Sequence, residues 1–140
     1  RPGLLDSTDE TANVFGRAFT YKDTAAETVE AGGTGVFAGI LINPKTYAID
    51  DDYAHNGTVA EFLQMGEVYV RLETDGNIGD LVYFDPDDGS LSVAAPDATA
   101  PAGLTQIAGA VVSRHEPSAE TPRLAVITLN GPIGGSPAAA

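Results

Sequence analysis

Apolar and polar residues alternate with a period of two over several short stretches, most cleanly from Glu67 to Glu73. There Val68, Val70 and Leu72 alternate with Glu67, Tyr69, Arg71 and Glu73, which places the two sets on opposite faces of a β-strand. Asn13 to Tyr21 repeats the pattern, with Phe15, Arg17, Phe19 and Tyr21 on one side and Val14, Gly16, Ala18 and Thr20 on the other. Apolar or alternating runs predict further strands over Val36 to Ile42, Thr58 to Gln64, Asp80 to Asp85, Ser90 to Ala94, Gln106 to Arg114 and Arg123 to Asn130. Thr58-Val-Ala-Glu61 also fits a helix capping box, but Gly66 would leave barely two turns, so a strand is preferred.

Turn signals separate these runs: Asn43-Pro44, Asn56-Gly57, Asp75-Gly76, and Asp85-Pro-Asp-Asp-Gly89, across which Asp80 to Asp85 and Ser90 to Ala94 should form a hairpin. Lys22 to Ala31 and the Pro/Ala/Gly-rich residues 95–104 read as loops. The prediction is an all-β fold, a small antiparallel β-barrel or sandwich of about eight short strands over residues 13–130. An extended N-terminal arm, residues 1–12, precedes it. Pro2 and Gly3 disfavour regular structure there, and only Leu4 and Leu5 offer anchors. Residues 131–140 are Gly, Pro, Ala and Ser with one isoleucine and read as a flexible tail.

The segment from Gly32 to Pro44 invites a different reading. Gly33, Gly35 and Ala38 fit G-x-G-x-x-A, and Asp51 and Asp52 lie near the spacing of a ribose-binding acid. That motif needs a buried strand before it and a helix after it, because the phosphate rests on free N–H groups at the helix start. Thr24 to Ala31 is too polar for the strand, and Pro44 arrives too soon for the helix. A glycine-hinged strand is preferred, with Gly35 and Gly39 permitting a bend or close packing and Phe37 and Ile40 reaching the core.

Charge narrows the partners. Twenty acidic and seven basic residues give a net charge of −13, which argues against nucleic acid and against anionic membranes. Residues 1–89 carry 17 of the acids and five of the bases, so an acidic face is expected, one that keeps many copies soluble or meets a basic partner. No stretch is long enough to span a bilayer. No cysteine is present, so neither disulfides nor thiolate chemistry enter.

Candidate chemistry is sparse. His55 and His115 do not stand at metal-pair spacing. Asp50-Asp51-Asp52 could ligate calcium, but consecutive side chains diverge, and a solvated acidic loop is preferred. Asp85 to Gly89 resembles a calcium loop whose glycine falls one place early and which lacks the twelfth-position glutamate, so a hairpin turn is preferred. Asn56-Gly57-Thr58 fits a glycosylation sequon, but with no secretory signal visible a turn is the simpler reading. No catalytic, cofactor-binding or metal site is assigned, and the chain is not expected to be an enzyme.

The order of segments resembles the structural cement, or head-decoration, proteins of tailed bacteriophages. The similarity rests on Val14-Phe-Gly-Arg-Ala-Phe19, Gly32 to Pro44, Gly66-Glu-Val-Tyr-Val70, Gly79-Asp-Leu-Val-Tyr-Phe84 and Gly109-Ala-Val-Val-Ser-Arg114, and covers roughly residues 13–130. The resemblance implies a β-barrel-like protein made in the bacterial host cytoplasm that binds the outer surface of the capsid and bridges major capsid proteins. Such proteins are often multimeric, and a dimer or trimer is expected here. Leu4 and Leu5 are expected to become buried as the arm orders on the capsid. Tyr69 and Arg71, on the outward side of the best strand, are the other expected contacts. A carbohydrate-binding or adhesive β-sandwich is the alternative, weakened by the absence of Trp and an aromatic content of 7%. A small β-rich nucleotide hydrolase is weaker still, lacking a phosphate loop.

Overall fold

The computed structural model describes residues 2–23, 27–42, 53–74, 76–115 and 123–130. Its ten strands form two closed barrels of five. The first contains Pro2–Leu5 (β1), Ala18–Asp23 (β2), Thr28–Ala31 (β3), Phe37–Ile42 (β4) and Val59–Leu63 (β5), in the ring order β1-β3-β2-β4-β5. The second contains Met65–Leu72 (β6), Leu81–Phe84 (β7), Leu91–Ala94 (β8), Thr105–His115 (β9) and Arg123–Asn130 (β10), in the order β6-β8-β7-β9-β10. A 3-10 turn, Glu10–Ala12, lies between β1 and β2. Five is odd, so a ring of strictly antiparallel neighbours cannot close. Each barrel accordingly has one parallel pair, β1 with β3 and β6 with β8.

The two rings have the same topology. Adding five to each strand number converts the first order into the second, and the parallel pair falls at the equivalent place. Their hydrogen bonds repeat too. The amide of Gly16 donates to the Leu41 carbonyl (2.8 Å) and that of Leu41 to Arg17 (3.1 Å); Gly79 donates to Val112 (2.8 Å) and Val112 to Asp80 (3.0 Å). Ala38-Gly39-Ile40 in β4 answers Ala108-Gly109-Ala110 in β9, next to register shifts in the β2–β4 and β7–β9 pairings. The chain is therefore a structural duplication of one five-stranded unit. Charge follows the duplication. Residues 2–63 and 65–130 each hold ten acids and three bases, net −7 apiece, so the acidity that looks front-loaded along the chain is shared equally.

Each barrel has a core, and the cores meet. Leu5, Phe19, Val29, Leu41 and Phe62 fill the first, with the Phe19 and Phe62 rings 5.2 Å apart. Val70, Leu72, Val82, Phe84, Leu91, Ile107, Val112 and Ile127 fill the second, joined by Ala18 and Ile40 from the first barrel's strands. That crossing explains why Ala18, Phe19 and Thr20 are all fully buried: β2 has a core on both faces.

Gly39 makes the arrangement possible. Thr20 pairs with Phe37, Phe19 with Gly39 and Ala18 with Ile40, which leaves Ala38 as an extra bulged residue. Its carbonyl accepts from Gln64 Nε2 at 2.8 Å. Across the bulge the faces switch, so Phe37 and Ile40 reach the second core while Ala38 and Leu41 reach the first. Gly39 sits at φ 138°, and a Cβ there would lie 2.7 Å from the Leu63 carbonyl oxygen.

The barrels are stitched by the Asp85–Ser90 turn. Ala18 donates its amide to Gly89 (2.9 Å), Gly33 donates to Pro86 (2.7 Å), and Arg17 Nη1 donates to the Asp88 carbonyl at 3.3 Å. Gly89 lies so close that a Cβ would be 2.3 Å from the Ala18 oxygen, at a φ of 79°.

Three expectations change. Residues 1–12 were expected as an unpaired arm; Pro2–Leu5 instead closes the first barrel, antiparallel to β5 and parallel to β3. Lys22 to Ala31 was expected as a loop, yet Thr28–Ala31 forms β3, its alternate residues Val29 and Ala31 turned inward. The expected all-β fold is present, with its strands numbering ten where about eight were expected and arranged as two barrels. The hairpin expected across Asp85 to Gly89 is present, with Leu81 opposite Ala94 and Phe84 opposite Leu91. Residues 131–140 and Asp50 to Asp52 lie outside the described residues.

Two substitutions test this packing. Gly89→Ala and Leu5→Ala should each lower unfolding free energy by about 2–5 kcal/mol, the first by strain and overpacking at the junction and the second by a cavity in the first core. Thermal and denaturant unfolding would measure both. A loss under about 0.5 kcal/mol, the range of an ordinary surface substitution, would contradict the close approach at Gly89 or the burial of Leu5.

Candidate functional site

In a closed barrel the strand edges are occupied, so a partner must be met mainly through side chains. The side chains offered lie on equivalent faces of the two barrels. On the first, Leu4 (36% exposed) pairs across β1 and β5 with Val59 (61%). On the second, Tyr69 (69%) and Arg71 project from β6; opposite them on β10, Leu124 (45%) is exposed beside Arg71, while Val126 beside Tyr69 is buried. Since β1 corresponds to β6 and β5 to β10, the duplication gives each barrel one face with exposed apolar side chains, joined on the second by Glu67 and Arg71.

A cleft of about 220 Å³ lies between the barrels. Phe15 and Arg17 line the first barrel's side, and Tyr69, Arg71, Glu73 and Leu124 the second's. Two of the seven basic residues of the chain meet there.

Of the residues expected to make contacts, Leu4, Tyr69 and Arg71 are exposed. Leu5 is not. It is 1% exposed and belongs to the first core, because β1 alternates and only one of two neighbouring leucines can face outward. Sequence reasoning missed Val59 and Leu124. Each was visible as an apolar residue in a strand, but nothing local showed which face would be covered.

A buried polar network holds the segment after β1. Asn13 is fully buried. Its Nδ2 donates to the Ala54 carbonyl (2.7 Å) and to Asn56 Oδ1 (3.0 Å), and its Oδ1 accepts from the Ser7 hydroxyl. Asn56 Oδ1 also accepts from the Ser7 amide (2.9 Å), while its Nδ2 donates to the Ser7 carbonyl (2.8 Å). Both ends of the Asn56 amide are thus engaged, which makes it a structural residue of the turn. Asp9 caps the 3-10 turn, and hydrogen bonds from the Thr11 hydroxyl and amide hold its carboxyl below the usual range.

The other polar groups that drew attention also serve the fold. Asp85 Oδ1 accepts from the Asp87 amide, and Asp88 Oδ1 from the Ser90 amide and hydroxyl, which is turn chemistry. His55 lies edge-on to Tyr53 and 3.5 Å from Glu10. Gly33 gives its amide to Pro86, and Ala38 lies within β4 rather than at a helix start. Among the described residues no cluster of three or more His, Cys, Asp or Glu could hold a metal.

The geometry shows an all-β protein whose turn and loop polar groups serve its own backbone and whose outward faces carry aromatic, aliphatic and charged groups. Comparison with known families narrows the class. The family described as "Structural cement protein (E217 gp24/Pam3 gp6)" matches residues 3–130, and the chain belongs to it. That family is structural, so the chain is a structural phage protein and not an enzyme. The fold is similar to that of a chain in the capsid of Myoviridae phage XM1, with a TM-score of 0.63, 15% identity, and coverage of 91% of this chain and 79% of that one. No curated protein matches the sequence.

Asn56→Ala should lower stability by about 1–3 kcal/mol, because it leaves the Ser7 amide and carbonyl and the Asn13 amide short of partners. Hydrogen exchange at the Ser7 amide should accelerate together with loss of thermal stability. Unchanged exchange would show that Asn56 does not hold this segment.

Proposed function

We propose that the chain decorates a phage head, binding the outer surface of the capsid and stabilising contacts between neighbouring major capsid proteins. It does so as a homo-oligomer, after synthesis in the host cytoplasm. The observation that carries this reading is the family match over residues 3–130, which spans both barrels. The duplicated architecture supports it. Two linked units, each with an outward face, can touch two neighbours in a repeating assembly, and two tethered contacts hold far better than one. The charge of −7 per barrel keeps unbound copies apart and favours a basic receiving surface.

The test adds purified protein to capsids that lack it, followed by imaging and by heating. Extra density at capsomer junctions and a higher rupture temperature are expected. Leu4→Asp with Val59→Asp should lower capsid affinity about tenfold or more, the scale of losing an interface anchor. Capsids that acquire neither density nor heat resistance at saturating protein would refute the proposal.

A further inference from the structure

The outward positions of β6 read Met65, Glu67, Tyr69, Arg71, continuing to Glu73, and the charges are symmetric about an exposed aromatic ring. Glu67 stands two residues before Tyr69 and Arg71 two residues after, so each lies about 7 Å along the strand from the ring. One edge of β6 is paired along its whole length by β10, and the other meets β8 at Leu72. A partner seated on this face meets the outward side chains of β6.

We infer that this face pairs with the same face of a second copy of the chain, about a two-fold axis through Tyr69. With the two β6 strands antiparallel, Glu67 of each copy faces Arg71 of the other, and the two Tyr69 rings meet at the axis. A two-fold interface requires such self-complementarity, in which residue i meets j and j meets i. An axis through Glu67 or Arg71 would oppose like charges. The inference deepens the homo-oligomer of the proposed decoration role by giving it a geometry.

The charge pattern selects a second copy as the occupant. At −13 per chain, two copies repel at long range, so they associate only where opposite charges are set against each other locally. Arg71 is exposed, and among the described residues it makes no ion pair. The Glu67 carboxylate accepts from the Ser113 hydroxyl at 3.3 Å, which holds it on this face. Glu73 is engaged within its own chain and would face Met65 of the other copy. Met65, Tyr69 and Leu124, at 66%, 69% and 45% exposure, add apolar surface around the charges.

Sedimentation equilibrium on the full chain tests this. Wild type is expected to form a dimer. Glu67→Arg and Arg71→Glu should each weaken it about tenfold or more, since either puts two like-charge contacts beside the axis. The double variant E67R/R71E should dimerise as wild type does. An equimolar mixture of the two single variants should form a heterodimer, because one then carries positive charge at both positions and the other negative charge at both. Added salt should weaken the wild-type dimer. A wild type that stays monomeric, a trimer with no dimer, a double variant as weak as the singles, or a mixture without heterodimer would each overturn the inference. Capsid attachment is read separately with the wild-type chain, so failure of the dimer and failure of the decoration role are distinguishable.

Discussion

Everything in this fold depends on a close backbone approach at one junction. The turn after β7 brings Gly89 against Ala18 and Pro86 against Gly33, with main-chain hydrogen bonds of 2.9 and 2.7 Å. Main chain meets main chain where Gly89 approaches Ala18, so only a residue without Cβ is tolerated at Gly89. The approach brings Ala18 and Ile40 into the second core and aligns Phe37 with Phe84, ring centroids 6.4 Å apart. Without it each barrel would be a five-stranded unit of about 60 residues, a size at which burial alone is marginal. Joined, each supplies part of the other's wall.

Much of the strand content was legible, because a half-buried strand announces itself by alternation. Glu67 to Glu73 faces as its pattern says. Val29 and Ala31 also alternate in β3, but four residues flanked by polar ones carry too weak a signal to tell a strand from a loop. Pro2-Gly3 misleads for another reason. Glycine in a strand usually marks a close approach, and at Gly3 a Cβ would lie 3.0 Å from Val29 and 3.1 Å from Phe62, partners far away in sequence. The duplication was hidden because it is kept in ring order and hydrogen bonding, while few side chains repeat.

The site was legible by residue type and not by arrangement. Tyr69 and Arg71 could be placed outward because their strand is long and its period clean. Leu4 and Leu5 could not be separated until β1 had a register, which β3 and β5 impose. The Ser7–Asn13–Asn56 network could not be seen at all, since polar residues between strands look the same whether buried or solvated. Asn13 in particular opens a stretch that reads as amphipathic strand, yet it is fully buried and hydrogen-bonded on both sides of its amide.

The odd number of strands in each ring has a mechanical consequence. Closure forces one parallel contact per barrel, and both are short: Leu4 and Leu5 against Thr28 and Val29 in the first, Leu72 against Leu91 in the second. The antiparallel β6–β10 ladder, by comparison, runs through eight register pairs from Arg123–Leu72 to Asn130–Met65. Tension across a barrel is therefore not shared evenly around its girth. Each ring behaves like a hoop with a single clasp, and the clasp of the first is fastened by the chain's own N-terminal strand.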